Sequence, residues 1–539
     1  MFRRKSIAHS EEGSDKYLNY KKNASINAQP VFNFRMGIGL FGILLAAMTA
    51  GLNNRVPSLA IGDIQGALGF SKDGVSWLST GYAAGELVAM PFATWCAITF
   101  SLRRAHTIAL FSMLIIALAL PFVNRLEILI LLRVLQGVCA GALIPMLMMA
   151  ALRFLPPSIK LHGLALYTMT ATFAPNIAFG VTAFIMDYMN DWRWIYWSVI
   201  PFGLIAMALV NWGIPQMPLM LSRLKEANWL GMALGIPGLI LVVIGLDQGV
   251  RLEWFASPIV NASLIMGTAL IGLFLWSEWI HPSPFMRLQL LERRNLWLGF
   301  FIFVCLLITM TTAVGLPANI LAQINEFRIA QIAPIGMILG LPQLVMGSLV
   351  ALLLYRRWVN ACYVFALGLL FISAACWLSS TITSEWMARQ FYMATILQAI
   401  GQPMSIVSLL FLSTSVVAPM EGGYVSGIVN TLRGIGTVTG GALIGQLMVE
   451  RGQFHSEMLL NTAGSIASNL PSVMIDNESL MTDIVIQSNV MAVADIYRIF
   501  GVLTLLLIPL ALSMNKVAAP VVAKNSLEPQ KDNAKLSSS

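Results

Sequence analysis

The chain has 539 residues, of which 57% are hydrophobic and only 11% are charged, and its formal net charge is +8. Soluble domains carry about a quarter charged residues, so this composition excludes a soluble globular protein and predicts a polytopic membrane protein. The apolar runs are continuous over about 20 residues rather than alternating, which predicts spanning helices and excludes a strand barrel. The basic residues lie at helix ends and in tails, so the positive charge does not indicate nucleic-acid binding.

A polar, basic tail covers residues 1–35 and lacks the apolar core of a cleavable signal peptide, so we expect it to be disordered and cytoplasmic. Fourteen spans are predicted after it, which makes the chain an all-α polytopic membrane protein. The spans lie at residues 36–61, 75–98, 105–123, 126–150, 163–186, 192–214, 228–247, 258–280, 297–320, 332–354, 360–379, 389–414, 425–448 and 495–515. Basic residues cluster in alternate loops and in the tail at 516–539, which places both termini in the cytoplasm.

A sequence repeat relates the two ends of the membrane region. Pro91 on span 2 is followed by Arg103 in the next loop, and Pro342 on span 10 is followed by Arg356. Two matching six-helix halves, with a substrate site between them near the bilayer midplane, are typical of secondary transporters. The predicted organisation is a six-helix half at 36–214, two additional helices with linkers at 215–296, and a six-helix half at 297–515 that contains a long outside loop at 449–494.

Three charged residues, Arg55, Glu86 and Arg133, lie well inside the spans of the first half. A charge in hydrocarbon costs at least ~2.5–3.5 kcal/mol, so such residues face a partner or a water-filled path. Their comparable depths predict mutual pairing, with Arg133 paired to Glu86. Two interpretations remain open: a static ion network that fixes helix packing, or a site where Glu86 exchanges a proton while the arginines tune it or meet an anionic group.

Span 4 carries Arg133, Gly137 and Gly141 at intervals of four residues, so the three share one helical face. The two glycines permit a neighbouring helix to approach closely, and we predict that both serve helix packing. For an isolated helix this pattern indicates packing around one buried ion pair.

The second half has Arg433 as its clear mid-span charge, and Thr395 occupies the position that matches Arg133. This asymmetry predicts that proton coupling resides in the first half. The side chains predicted to line a substrate cavity are Asn53, Asn54, Tyr82, Gln136, Gln402, Asn430 and Arg433, with Tyr167, Asn176, Gln343 and Gln398 as further members. Interhelical hydrogen bonding is the alternative role for each of them. Asp247 and Glu278 lie at predicted helix ends, where we expect water to reach them.

Several motifs stand in a fixed order along the chain. They are Arg133-Val-Leu-Gln136-Gly137, Trp192-Arg193-Trp194-Ile195-Tyr196, and Leu246-Asp247-Gln248-Gly249 followed by Leu252-Glu253-Trp254-Phe255. Together they resemble the major facilitator superfamily, specifically its 14-spanning drug:proton antiporter branch of the EmrB/QacA type. The resemblance extends from about residue 45 to 515. It implies export of amphipathic drugs by alternating access, with a proton gradient as energy source and no cofactor.

Three departures from the family pattern bear on mechanism. Leu52-Asn53 stands where helix 1 of the family usually carries an acid, and we hypothesise that Glu86 substitutes for it. The inside-loop motif retains only the basic pair Arg103 and Arg104. The helix-5 motif keeps Pro175 but has lost its first glycine. By resemblance, Arg103, Arg104 and Pro175 are expected to serve conformational change.

The resemblance favours a proton-coupled multidrug exporter in a bacterial inner membrane. The alternative is a narrow-specificity exporter of an anionic metabolite attracted by Arg55 and Arg133. An enzyme or a non-transporting sensor lacks support, since the sequence offers no metal cluster, nucleophile–base pair or phosphate loop. The implied partners are a small-molecule substrate, protons and the lipid bilayer, together with a periplasmic adaptor protein and an outer-membrane channel reached through the loop at 449–494.

Overall fold

The structure is a computed structural model that describes residues 32–189, 191–467 and 477–518. Within these ranges the regular secondary structure is helical throughout. The α-helices are α1 Phe34–Leu59, α2 Ile61–Leu68, α3 Lys72–Thr99, α4 Leu102–Ala119, α5 Leu126–Phe154, α6 Lys160–Thr172, α7 Ala174–Phe184, α8 Trp194–Trp197, α9 Val199–Gly213, α10 Arg223–Glu226, α11 Trp229–Gly249, α12 Pro258–Ile280, α13 Arg294–Met310, α14 Gly315–Ile324, α15 Ile329–Gly340, α16 Gln343–Leu354, α17 Ala361–Ser379, α18 Tyr392–Thr414, α19 Gly422–Ala467 and α20 Asn477–Leu512.

The described chain contains 11 helices that are long and apolar enough to cross a membrane, and the bent pair α6–α7 makes 12 if it counts as one span. The sequence predicts two spans more than this. The difference lies in α3 and α19, which are long but carry more polar side chains than the other long helices. Both nevertheless pack deep inside the bundle.

Proline interrupts two of the spanning segments. The axes of α6 and α7 meet at 48°, and Pro175 stands in the first turn of α7, where its missing N–H is tolerated. The break between α15 and α16 falls at Leu341 and Pro342. A bend thus lies beside Pro175, for which the resemblance implies a role in conformational change; that role stays a prediction.

The helices pack as two groups with a helix pair beside them. In the first group α3 packs on α5 and α1 on α9, and in the second α17 packs on α18 and α20. The pair formed by α11 and α12 lies alongside, with α11 against α3 and α19. The groups meet where α7 packs on α15, α6 on α16, and α3 and α5 on α19.

One end of the bundle, which we call the basic end, carries basic residues in its loops or at the helix ends beside them: Arg103, Arg153, Arg223, Arg293 and Arg356. One apolar core joins both groups there, since α5, α13, α18 and α19 all contribute buried residues to it. A hydrogen bond of 2.7 Å from Ser426 Oγ to the Pro145 carbonyl also crosses the boundary. The basic end is therefore closed.

At the opposite end the two groups have separate cores. The first contains Val56, Ile64 and Tyr196 and no residue of the second group. The second core is built from helices α13 to α20, and Phe179 is its one fully buried member from the first group. The described bundle therefore has one shared core at the basic end and two separate cores at the other, which we call the parted end; Leu59 and Ala183 of the first group also pack against the second core there.

The predicted long loop at 449–494 is mostly helix, which corrects the sequence interpretation. The helix α19 continues to Ala467, α20 begins at Asn477, and residues 468–476 lie outside the described ranges. The polar residues pair the two helices: Asp495 accepts hydrogen bonds from Arg451 Nε at 2.9 Å and His455 Nε2 at 2.8 Å. At 1.5 Å per residue, the 46 residues of α19 extend about 69 Å, well beyond a hydrocarbon core of about 30 Å.

Glu278 contradicts the expectation of a water-exposed helix end, whereas Asp247 is exposed as predicted. The Glu278 carboxylate is fully buried and accepts hydrogen bonds from Asn228 Nδ2 and from the Met286 backbone, both at 2.8 Å. It is satisfied because the chain after α12 folds back over it. Glu278 therefore fixes the α11–α12 pair to the loop that follows.

Candidate functional site

Close packing of α3 on α5 sets the geometry of the site. A Cβ added at Gly137 would overlap the Tyr82 carbonyl oxygen, and one at Gly141 would overlap the Glu86 carbonyl oxygen. Only glycine permits this approach, as the four-residue spacing predicts. The predicted packing role of both glycines is consistent with this contact, which places Glu86 beside α5.

Arg133 lies on the same face of α5 and is only 2% exposed. Its Nη1 donates to Gln136 Oε1 at 2.8 Å and to the Asn53 carbonyl at 3.3 Å. Its guanidinium carbon lies 4.2 Å from the centre of the Tyr82 ring and 5.9 Å from that of Tyr196. A cation over two aromatic faces, with hydrogen bonds at its edge, is stabilised without a carboxylate.

The Asn53 carbonyl is free to accept this bond because of Pro57. A proline at position i cannot donate to the carbonyl at i−4, so Pro57 leaves Asn53 O without its helical partner. The second half repeats the device: Pro403 frees the Ala399 carbonyl, and Gln343 Nε2 donates to it at 3.1 Å. In each half, a side chain from a neighbouring helix thus donates a hydrogen bond to the backbone carbonyl that the proline leaves without a helical donor.

Glu86 does not pair with Arg133, contrary to the sequence prediction. The described residues contain no ion pair between them; instead Asn54 Nδ2 donates to Glu86 Oε2 at 2.7 Å. The reason is that Arg133 turns toward Gln136 and the freed Asn53 carbonyl, whereas Glu86 faces the boundary between the halves and is only partly buried. The second group brings Arg433 close to Glu86, since Gly434, the neighbour of Arg433, lies against Leu87, the neighbour of Glu86.

Arg55 also lacks the predicted contact with Glu86. Its guanidinium carbon lies 5.6 Å from the centre of the Phe179 ring on α7. Among the described residues Arg55 makes no ion pair, and its buried Nε has no hydrogen-bond partner. Arg55 is therefore a cation near the parted end whose charge no protein carboxylate neutralises.

Arg433 reaches across the boundary from α19 to α6. Its Nη1 donates to Thr170 Oγ1 at 2.5 Å and its Nη2 to the Thr170 carbonyl at 2.6 Å. One turn nearer the basic end, the Tyr167 hydroxyl donates to Asn430 Oδ1 at 2.9 Å. These two bridges join the halves at the depth of Glu86, and they bring together two of the predicted cavity residues, Asn430 and Arg433.

The remaining predicted residues lie apart from this cluster. Gln402 is buried on α18, donates to Gln398 at 3.3 Å, and leaves its own Oε1 without a partner. Arg103 Nε donates to Asn211 Oδ1 at 3.2 Å at the basic end. Arg104 lies there too, and the Gln216 amide oxygen accepts from its Nε at 2.6 Å. The arginine pair thus fixes the end of α9 and the chain that follows it.

The first group also contains a network with Asn53 at its centre. Gln136 Nε2 donates to Asn53 Oδ1 at 3.1 Å, and Asn53 Nδ2 donates to the Tyr82 hydroxyl at 3.3 Å.

A sequence model of the Major Facilitator Superfamily matches residues 43–441, which include this network and the Arg433 bridge. The chain belongs to the Major Facilitator Superfamily.

Superfamily members with curated names share part of the chain. The probable multidrug resistance protein EmrY of Escherichia coli (strain K12) is 29% identical over 52% of this chain and 54% of its own length. The multidrug export protein EmrB of the same organism is 26% identical over 62% of this chain and 66% of its own length. The chain thus spans between about half and two thirds of the length of these two relatives.

A solved structure of the superfamily shares the fold. The proton:xylose symporter XylE, bound to 6-bromo-6-deoxy-D-glucose, aligns with a TM-score of 0.53 over 90% of this chain and 97% of that chain, at 13% identity. At this identity the likeness concerns the fold alone. It agrees with the all-helical major facilitator architecture described above.

Sequence reasoning missed two members of the site in this superfamily protein. Thr170 receives both Arg433 bonds, and Tyr196 supplies the second ring against Arg133. No pattern marks Thr170, since threonine is common in membrane helices. A usable signal did exist for Arg133: Pro57 identifies an unpaired carbonyl four residues earlier, at Asn53.

Proposed function

We propose that the chain is a secondary active transporter that exports amphipathic small molecules in exchange for protons by alternating access. The observation that carries the proposal is Glu86, a partly buried carboxyl that Asn54 holds at the boundary between the halves, where Leu87 lies against Gly434 beside Arg433. Membership of the superfamily and the multidrug names of EmrY and EmrB support it.

The proposed topology has fourteen spans. They are the 12 spans counted above together with α3 and α19. Both pack against α5 and α11, which are themselves long and apolar enough to span. A helix buried between spanning helices must lie in the same layer, and its polar residues then face protein or water rather than lipid. We retain halves at 36–214 and 297–515, with the pair α11–α12 between them.

The proposed coupling is electrostatic. When Glu86 is ionised, it attracts Arg433 of the other half and favours their approach in a medium of low dielectric constant. A proton on Glu86 removes that attraction, so the two halves separate more readily at this depth. The proton would enter from the parted end, and it would leave to the basic end after the halves rock.

We further propose a bacterial inner-membrane location with the basic end in the cytoplasm, as the positive-inside rule favours. The parted end then faces outward, where an exporter releases its cargo and takes up its proton. The protruding parts of α19 and α20 offer a surface to the periplasmic adaptor and outer-membrane channel expected from the sequence.

The test is proton-driven transport in proteoliposomes. With the pH gradient imposed so that protons leave through the basic end, the wild type is expected to accumulate a fluorescent lipophilic cation at least fivefold over empty vesicles. Glu86→Gln should retain less than a tenth of that accumulation. Glu127→Gln, at an exposed acid of α5, is the matched control and should match wild type. Undiminished proton-driven transport by Glu86→Gln would refute the assignment.

A second candidate cargo is an amphipathic anion. The observation in its favour is the cationic excess near the parted end, where Arg55 has no carboxylate partner. A fluorescent fatty acid beside the lipophilic cation in the same vesicles separates the two. Arg55→Gln should lower transport of the anion alone if the site selects anions.

A further inference from the structure

Residues 247–254, the end of α11 and the turn after it, bridge the two halves at their parted end; we call this segment the strap. It belongs to neither half, since it is part of the α11–α12 pair and the connection within it. It coincides with the sequence motif around Asp247 and Trp254, to which the proposed transport cycle assigns no role. Its contacts reach α3 on one side and α19 on the other.

The strap is anchored firmly on α3. Thr80 Oγ1 donates to Asp247 and accepts from Gln248 Nε2 at 2.5 Å. Arg251 Nε donates to Gln248 Oε1 at 2.6 Å, and its Nη1 forms an ion pair with Asp73 at 3.0 Å. Thr80 lies less than two turns from Glu86, so this anchor holds the helix that carries the proposed proton site.

The contact with α19 is smaller. Trp254 Nε1 donates to Gln446 Oε1 at 2.6 Å. Val250 packs against Gly445, where an added Cβ would lie 3.0 Å from Val250 Cγ2. The indole also covers Gly249, since a Cβ there would lie 2.8 Å from the ring. One hydrogen bond and one apolar contact thus join the strap to the second half.

The two helices part below the strap. Gly434 of α19 lies against Leu87 of α3, whereas Gly441, seven residues farther along and on the same face of α19, meets open space. From Gly434 to Gln446 the axis advances about 18 Å, and from Leu87 to Thr80 about 10 Å. The axes of α3 and α19 therefore diverge toward the parted end, and the strap lies between them there.

The backbone of the strap stores strain. Glu253 and Trp254 have φ of 57° and 48°, in the left-handed region that is unfavourable for residues other than glycine. Such a conformation persists only where contacts hold it. The Trp254–Gln446 bond is the contact at this point, so its loss frees the turn to relax.

We propose that the strap is a positioning element that braces α3 and α19 apart in the state with the parted end open, and that it releases at Trp254–Gln446 when this end closes. The inference rests on the proposed alternating-access function. Because the α3 side holds by an ion pair and several hydrogen bonds, the strap moves with the first half. The single bond to α19 is the point that breaks as the second half rotates.

The test measures the distance between α3 and α19 at the parted end. Spin labels are attached through ketone-bearing residues at Lys72 and Val449, both exposed, which leaves the native cysteines in place. Pulsed dipolar spectroscopy on the purified full chain, without cargo or gradient, then gives the populations of long and short distances. Because no transport is measured, the result tests the role of the strap separately from the proposed transport function.

Trp254→Phe keeps the ring but removes the N–H donor, and Gln446→Leu removes the acceptor. Each is expected to raise the short-distance population at least threefold, and the double variant should add nothing further, since one bond is lost in both. Gln323→Leu, at an exposed glutamine that bonds only Asn319, is the matched control. Glu450→Ala is a second control, because it removes only the intrahelical bond of Gln446, and it should leave the distance populations as in wild type. Unchanged or longer distances in both Trp254→Phe and Gln446→Leu would overturn the proposal.

Discussion

Asn54 Nδ2 donates to Glu86 Oε2 at 2.7 Å, and this bond ties the acid of α3 to α1 rather than to Arg133. The carboxylate thereby keeps one side toward the boundary between the halves. Arg133 instead donates a hydrogen bond to the Asn53 carbonyl of α1, which Pro57 leaves without its helical donor.

Asn54→Leu is expected to reduce proton-driven transport about tenfold while substrate counterflow, which needs no proton, stays within twofold of wild type. A hydrogen bond to a charged group contributes about 1.5–3 kcal/mol, and 1.4 kcal/mol corresponds to a factor of ten. The ratio of the two activities in the same proteoliposomes is the measurement. Asn319→Leu, at an exposed amide of α14, should alter neither, and an equal loss of both activities in Asn54→Leu would show a purely structural role.

Arg133→Met should destabilise the protein less when Pro57→Ala is also present. The arginine is needed to satisfy the Asn53 carbonyl that Pro57 leaves free, and an alanine restores the helical N–H donor. The expected coupling is about 1 kcal/mol, measured by a double-mutant cycle on thermal unfolding in detergent. Pro91→Ala is the control, because the carbonyl that Pro91 leaves free is one that Arg133 does not contact, and additive effects at position 57 would contradict the assignment.

Gly141→Val should lower stability by about 1–3 kcal/mol, as overpacking does, because its Cβ would overlap the Glu86 backbone. Gly441→Val meets open space and should unfold like wild type. Thermal midpoints of the purified variants provide the comparison. Equal midpoints for the two would show that α3 and α5 can separate without cost.

Acid should weaken the ion pair between Arg293 and Glu421, which joins the start of α13 to the start of α19 at the basic end. Hydrogen bonds from Arg293, at 2.8 and 2.9 Å, hold the pKa of this carboxyl below its ordinary value. A lowered pKa means that the stabilisation is complete above the unfolded-state pKa of about 4.3 and is lost as the pH falls through the folded-state pKa. The gap in thermal midpoint between wild type and Glu421→Gln should therefore shrink below about pH 4. A constant gap from pH 7 to pH 3 would disprove this.

Sequence predicted the helical architecture well, because continuous apolar runs and flanking charges reflect the bilayer directly. The face shared by Arg133, Gly137 and Gly141 was also predictable, since it depends only on helical periodicity. The partner of Arg133 was not, because three charges at similar depth do not reveal their rotation about each helix axis. Arg133 binds a backbone carbonyl, and a pattern of charged side chains gives no information about backbone acceptors.

The helical extension of α19 was missed for a related reason. Its polar residues predict a loop outside the membrane, whereas Arg451 and His455 both bond Asp495 of the neighbouring helix. Polar content predicts exposure to water; it does not distinguish a loop from a solvated helix pair.

The burial of Arg133 has a consequence for biosynthesis. Its hydrogen-bond partners lie on α1 and on α5 itself, and its nearest ring lies on α3. Until those helices meet, the guanidinium would face lipid at a cost of at least ~2.5–3.5 kcal/mol. Span 4 should therefore stay beside the insertion machinery until spans 1 and 2 join it, so an arginine without a carboxylate partner sets an order of assembly for the nascent chain.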